Sequence, residues 1–144
     1  FREANDEREM LKLLYQTMRA LINEKIPNRL IRYIYELKAI CINGEAPQVF
    51  QCVVCGDKER PGKFSTLKGG KVCTHCIRDV YDGLELDPST WYTLQYIESA
   101  KVEHLYNFTV SDLVLRELAM VMGRYMDVYV DHQFKSLEIL KLMT

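Results

Sequence analysis

Cys52-Val53-Val54-Cys55 and, seventeen residues further on, Cys73-Thr74-His75-Cys76 break into a chain whose remainder reads as helix. C-x2-C, seventeen residues, C-x2-C is the ligand spacing of a four-cysteine zinc site. Two residues between ligands let a tight turn bring both sulfurs to one ion, and Gly56 after the first pair relieves that turn sterically. Four thiolates close the tetrahedron and leave no position for water or substrate. One structural zinc held by Cys52, Cys55, Cys73 and Cys76 is therefore expected, not a catalytic one. Helicity is expected from Thr74 to Tyr81, so that helix amides and the helix dipole would stabilise the second thiolate pair. Knuckle, strands, then a ligand pair at a helix start is the plan of a zinc ribbon or treble clef. Redox C-x-x-C chemistry would want a single pair in a βαβ setting, which is absent. His75 could displace one cysteine, but four cysteines suffice. Cys41 fits better as a small core residue, and His104 and His132 as solvated surface.

Around the cysteines, residues 48–72 lose helical periodicity and contain Gly56, Pro61, Gly62, Gly69 and Gly70. Turns and short β-hairpins near Val53 and Phe64 are expected there. Upstream, residues 5–24 form an amphipathic pattern capped by Asn5 or Asp6, with Leu11, Leu14, Met18 and Leu21 as its apolar stripe. Pro27 suits the first turn of a second helix over 27–41, whose stripe is Leu30, Ile34, Leu37 and Cys41. Downstream, Asp87 caps a helix over 88–101 that begins at Pro88 and turns Leu94 and Ile97 inward. Thr109 with Asp112 resembles a capping box for a helix over 110–130, with Val114, Leu118, Val121, Tyr125 and Val128 as its stripe. A last short helix carries Leu137, Leu140 and Met143. Met18, Met122, Tyr125 and Met126 read as core, since each lies on or beside an apolar stripe. The expected fold is mainly α: one helical domain over residues 1–144, a bundle with a four-cysteine zinc module inserted at 48–80. Leu14, Leu37, Leu118 and Val121 should be buried.

The chain has 144 residues, 48% apolar and 27% charged, which suits one folded domain. It starts at Phe1 without the basic start and apolar run of a signal peptide, so a fragment of a longer cytoplasmic chain is expected. No apolar stretch has the length of a membrane span. Residues 51–80 carry six basic and three acidic groups, while residues 81–144 carry five basic and ten acidic. A nucleic-acid footprint would therefore centre on Lys58, Lys63, Lys68 and Lys71 or on the first helices, unless these lysines only keep a small module soluble. The H-x-E and P-C-x-x-C elements of a zinc deaminase are missing, as are a nucleophile elbow, a P-loop and H-E-x-x-H. An enzyme is not expected.

Several short runs carry a resemblance. Tyr35-Glu36-Leu37 precedes Gly44-Glu45-Ala46-Pro47, followed by Cys52-Val53-Val54-Cys55-Gly56, Phe64-Ser65 and Gly69-Gly70 before Cys73. Tyr129 to Leu140, with Lys135-Ser136-Leu137, closes the series. In this order and spacing the whole chain resembles the C-terminal part of the bacterial RecO family. It departs in having Glu45 where members often have an aromatic residue, and in lacking the family's N-terminal OB-fold. The resemblance implies a non-catalytic DNA repair and recombination mediator of the bacterial cytoplasm and nucleoid. Such proteins bind and anneal single-stranded DNA, work with RecR, engage the acidic tail of single-strand-binding protein, and help load RecA. Without the OB-fold, binding to single-stranded or double-stranded DNA should be weak. An acidic, apolar-tipped tail wants an apolar groove with a basic edge, which Arg29 and Arg32 could supply unless they are only a solvated helix face. The other reading is a stand-alone zinc-containing protein-interaction module with no DNA role.

Overall fold

The computed structural model describes the backbone of residues 4–143 and the side chains of residues 4–129. Four helices carry the fold: α1 (Ala4–Asn23), α2 (Asn28–Ile42), α3 (Pro88–Ser99) and α4 (Asp112–Met143). Between α2 and α3 lies one antiparallel hairpin, β1 (Gly62–Ser65) with β2 (Gly70–Cys73), Phe64 opposite Lys71 and Lys63 opposite Val72. The fold is mainly α, as the periodicity predicts.

Local chemistry accounts for the helix ends. Asp87 accepts a hydrogen bond from the Ser89 amide and Pro88 opens α3, a cap in which the missing proline N–H costs nothing. α4 begins differently from expectation. Ser111, not Thr109, supplies the cap, taking the Val114 amide on its Oγ at 3.3 Å. α4 also runs unbroken to Met143, so the two expected C-terminal helices are one. No proline or glycine lies between 124 and 143 to stop it. The burial of Leu137, Leu140 and Met143 lies outside the described residues.

Leu30, Ile34 and Leu37 from α2, Leu94 and Ile97 from α3, and Val114, Leu118, Val121 and Met122 from α4 are all at most 3% exposed. They form one core with Leu13 and Ala20 of α1. Here one expectation fails. α1 turns Leu13, Thr17 and Ala20 inward and leaves Leu14 47% and Met18 54% exposed, with Leu11 and Leu21 beside them in water. Small residues decide the face. Ala20 and Thr17 admit a close approach, and the Thr17 hydroxyl meets both the Leu13 carbonyl at 2.7 Å and the Tyr106 hydroxyl at 2.6 Å. Val128 of α4 is likewise exposed.

Lys38 is a buried cation with a clear use. Its Nζ donates to the Glu98 and Ala100 carbonyl oxygens at 3.1 and 2.6 Å. These are end-of-helix carbonyls of α3, so the ammonium caps that helix and ties α2 to it. Cys41, one turn on, points its thiol at the same Glu98 carbonyl at 3.6 Å.

Candidate metal centre

The hairpin is stitched to the chain on both sides. Gln48 bonds Gly69 and Lys71 through its backbone, and Leu84 exchanges two 2.8 Å backbone bonds with Phe64. Phe64 is fully buried between Trp91 of α3 and Tyr125 of α4, ring centroids 6.3 Å away from each. This anchors the module to the bundle. Asp82 fastens the tip, accepting the Ser65 hydroxyl at 2.7 Å and the Leu67 amide at 2.9 Å.

Against that support the two cysteine pairs converge. Gly56, at φ 77°, closes the first knuckle with its amide on the Cys52 carbonyl at 2.9 Å, a conformation that glycine reaches without strain. The second pair follows β2 directly. It leads into a single 3-10 turn, Ile77–Asp79, and not into the expected helix over 74–81. Helix-dipole stabilisation is therefore not available to Cys73 and Cys76. Individual amides serve instead: Cys73 and Val54 direct their N–H groups at the Cys52 sulfur at 3.3 and 3.4 Å.

All four Sγ atoms lie within 4.8 Å of one another, with Cys55 and Cys73 3.6 Å apart. A tetrahedron with metal–sulfur bonds of about 2.3 Å has sulfur–sulfur edges of about 3.8 Å, so the cluster has the right size for one zinc. Its electrostatics ask for a cation. Burial works against ionising Cys52, but the amides of Cys73, Cys55 and Val54 outweigh it and pull the thiol down to about 6. Cys76 is pushed up to about 12 by burial and then by its sulfur neighbours Cys73, Cys55 and Cys52. A dication bound among the four sulfurs would favour the thiolate form, Cys76 included. Arg60 adds a fixed positive charge beside the cysteines, its own pKa raised chiefly by Cys73 and by Asp57, with which it pairs at 3.6 Å. His75 is exposed and is not in the cluster. Arg60 was within reach of sequence reasoning only as one more charge of the module.

The other candidate residues are less gathered. Lys63 and Lys71 face opposite sides of the hairpin, because paired residues share a face and neighbours alternate. Lys71 sits over the Trp91 ring at 5.7 Å, while Lys58, Lys63 and Lys68 are exposed. Arg29 reaches Tyr33 at 3.5 Å, and Arg32 pairs with Glu36 at 3.4 Å. Both arginines are exposed, but Leu30 and Ile34 beside them belong to the core. A 690 Å³ cavity lies elsewhere, between α3 and the loop before α4, walled by Tyr92, Tyr96, Phe108 and several hydroxyls without a basic residue. Among the described residues no helix is long and apolar enough to cross a membrane.

Four helices carrying a hairpin whose four cysteines lie close enough together to hold one ion define a mainly α fold with a candidate metal centre. The chain belongs to the RecO family: the family described as "Recombination protein O C terminal" matches residues 1–138. It is 30% identical over 135 residues to the DNA repair protein RecO of Thermoanaerobacter sp. (strain X514), covering 93% of this chain and 54% of that protein. The RecO proteins of Acetivibrio thermocellus and Bacillus pumilus are each 30% identical, over 83% and 93% of this chain and 48% and 52% of their own lengths. The chain thus spans about half the length of these curated relatives. No solved structure matches it.

Proposed function

We propose that this chain is the zinc-stapled helical part of a non-catalytic DNA repair mediator. It would help anneal single-stranded DNA and load recombinase onto DNA coated with single-strand-binding protein. The family match running through the cysteine module and all four helices supports this most directly. One zinc on Cys52, Cys55, Cys73 and Cys76 would hold the hairpin; its role is to fix shape, since four thiolates leave no open coordination position. The protein's own residues then do the recognising. Arg29 and Arg32 are proposed to receive the acidic tail of single-strand-binding protein, Arg32 exchanging Glu36 for a tail carboxylate. Lys58, Lys63 and Lys68 would give weak phosphate contacts; Lys71, held over Trp91, would contribute less. RecR is the further partner this reading implies.

The test is a titration of the chain against single-stranded DNA and against a single-strand-binding-protein tail peptide, each at two salt concentrations. Tail binding that weakens in Arg29→Glu or Arg32→Glu and falls as salt rises is expected, because both arginines are exposed and their contacts are screened. Tail binding unchanged in both variants would refute the arginine edge. A chain that binds neither ligand would favour the stand-alone interaction module, a reading for which the exposed apolar face of α1 speaks.

A further inference from the structure

A second turn follows the first cysteine pair at once. Gly56 closes the knuckle on the Cys52 carbonyl, and the carbonyl of Asp57 then accepts the Cys52 amide at 2.9 Å. The Asp57 carboxylate serves the residues after it. One oxygen accepts the Glu59 and Arg60 amides at 2.8 Å each, and the other pairs with the Arg60 guanidinium at 3.6 Å. A carboxylate that caps the amides following it fixes a turn locally.

The chain leaving this turn runs to the second cysteine pair. Pro61 accepts the Thr74 amide at 3.0 Å, and Gly62 stands opposite Cys73 in the hairpin. A Cβ on Gly62 would meet the Cys73 Cα at 2.9 Å, so the two segments touch through backbone. Arg60 is thereby held between the pairs, tied on one side to Asp57 behind Cys55 and on the other, through Pro61 and Gly62, to Cys73 and Thr74. Cys73 favours its charged form most, ahead of Asp57. Charge gives this placement a use, because a dication among four thiolates leaves an excess of negative charge.

We propose that Asp57 and Arg60 are positioning residues of the metal centre: Asp57 holds the Arg60 guanidinium beside Cys73, where it offsets the thiolate charge and tightens the grip on the ion. The inference rests on the reading that the four cysteines hold one ion. A guanidinium suits the position, since it stays charged and presents its N–H groups in a fixed plane. Asp57 by itself repels thiolates. Its direct effect on metal binding is therefore opposite in sign to its effect through Arg60, and the two can be told apart.

The experiment is cobalt(II) titration of the metal-stripped 144-residue chain, read by sulfur-to-cobalt charge-transfer absorption and followed by zinc competition. Uptake of one ion by the native chain is expected. Arg60→Met, which keeps length and loses charge, should weaken binding by about tenfold to a hundredfold. It should also move the charge-transfer band to lower energy, because a thiolate with no cation beside it gives up an electron more readily. Arg60→Lys should recover most of both effects. Asp57→Asn keeps the turn, since an amide oxygen can still accept the Glu59 and Arg60 amides. It should weaken binding by about twofold to tenfold in the native background, but cause no loss in Arg60→Met, where only its repulsion is left to remove. A general loosening of the module would instead cost both backgrounds alike and leave the band in place. Native affinity in Arg60→Met, an unmoved band, or equal loss from Asp57→Asn in both backgrounds would overturn the proposal and leave the metal reading standing. A native chain that takes up no ion would overturn both.

Discussion

At Gly70 the backbone has φ 154°, and a Cβ there would run into the carbonyl oxygen of Gln48. The clash is with backbone, which cannot swing aside, so Gly70→Ala should cost about 1–3 kcal/mol in denaturant unfolding by forcing the hairpin off Gln48. Leu37 and Leu118 are fully enclosed, and Leu37→Ala or Leu118→Ala should each cost about 2–5 kcal/mol. Leu14→Ala should change monomer stability by only about 0.5 kcal/mol or less, because nearly half of that side chain is already in water. The same substitution measured at three leucines therefore separates the enclosed stripes of α2 and α4 from the exposed face of α1.

The hairpin module and the helix pair α2–α3 are stabilised by different means. Around the cysteines the buried apolar cluster is Cys52, Val72 and Cys73, with a few half-buried neighbours. Burial of so few side chains yields about 1.5–3 kcal/mol each, too little to order a module at about 1–2 kcal/mol per residue. A metal on the four cysteines would add to the anchoring by Phe64 and Val49, which are buried in the main core. Purified protein should contain one zinc per chain, and chelation or Cys73→Ser should release amide protection in residues 48–80 while α2 and α4 stay protected in hydrogen exchange. Protein without zinc that keeps this protection would contradict the staple.

Between α2 and α3, the buried Glu98 carboxyl is pushed up to about 8 by its desolvation, with Lys38 opposing, and one of its oxygens has no hydrogen-bond partner. The folded chain therefore binds this proton more tightly than the unfolded chain, whose carboxyl titrates near 4.5. The contribution to stability is full below about 4.5 and is lost as pH rises through about 8. Glu98→Gln keeps the neutral shape, so it should flatten this loss and stabilise the protein most at the alkaline end. Chemical denaturation on either side of that window measures it.

For the molecule as a whole, charge is divided between the module and the acidic C-terminal half. Phosphate contacts made by the module should give a shallow salt dependence, since the lysines do not share one face: Lys63 and Lys71 lie on opposite sides of the hairpin. Affinity for single-stranded DNA should fall with salt with a slope corresponding to only a few phosphates, and Lys63→Ala with Lys68→Ala should reduce that slope by about one to two. A steep slope, unchanged in this variant, would move the DNA contact to another surface.

Much of this architecture is legible in short-range chemistry. The doubled C-x2-C spacing marks the four cysteines that the fold gathers within 4.8 Å, because a knuckle brings sulfurs together through two intervening residues. Asp87-Pro88 marks the start of α3 through a cap that needs only its own turn. α2 and α4 show their buried stripes because each has one clearly apolar face. Tertiary packing decides the rest. α1 is apolar on two sides, so its periodicity could not say which would be buried, and the fit of Thr17 and Ala20 chose. The arginines and lysines likewise have no shared geometry until the chain folds, because charge position along a sequence does not say which way a strand or helix will face. Where a structure depends on neighbours within one turn, residues announce it; where it depends on which surface another element covers, only the folded chain does.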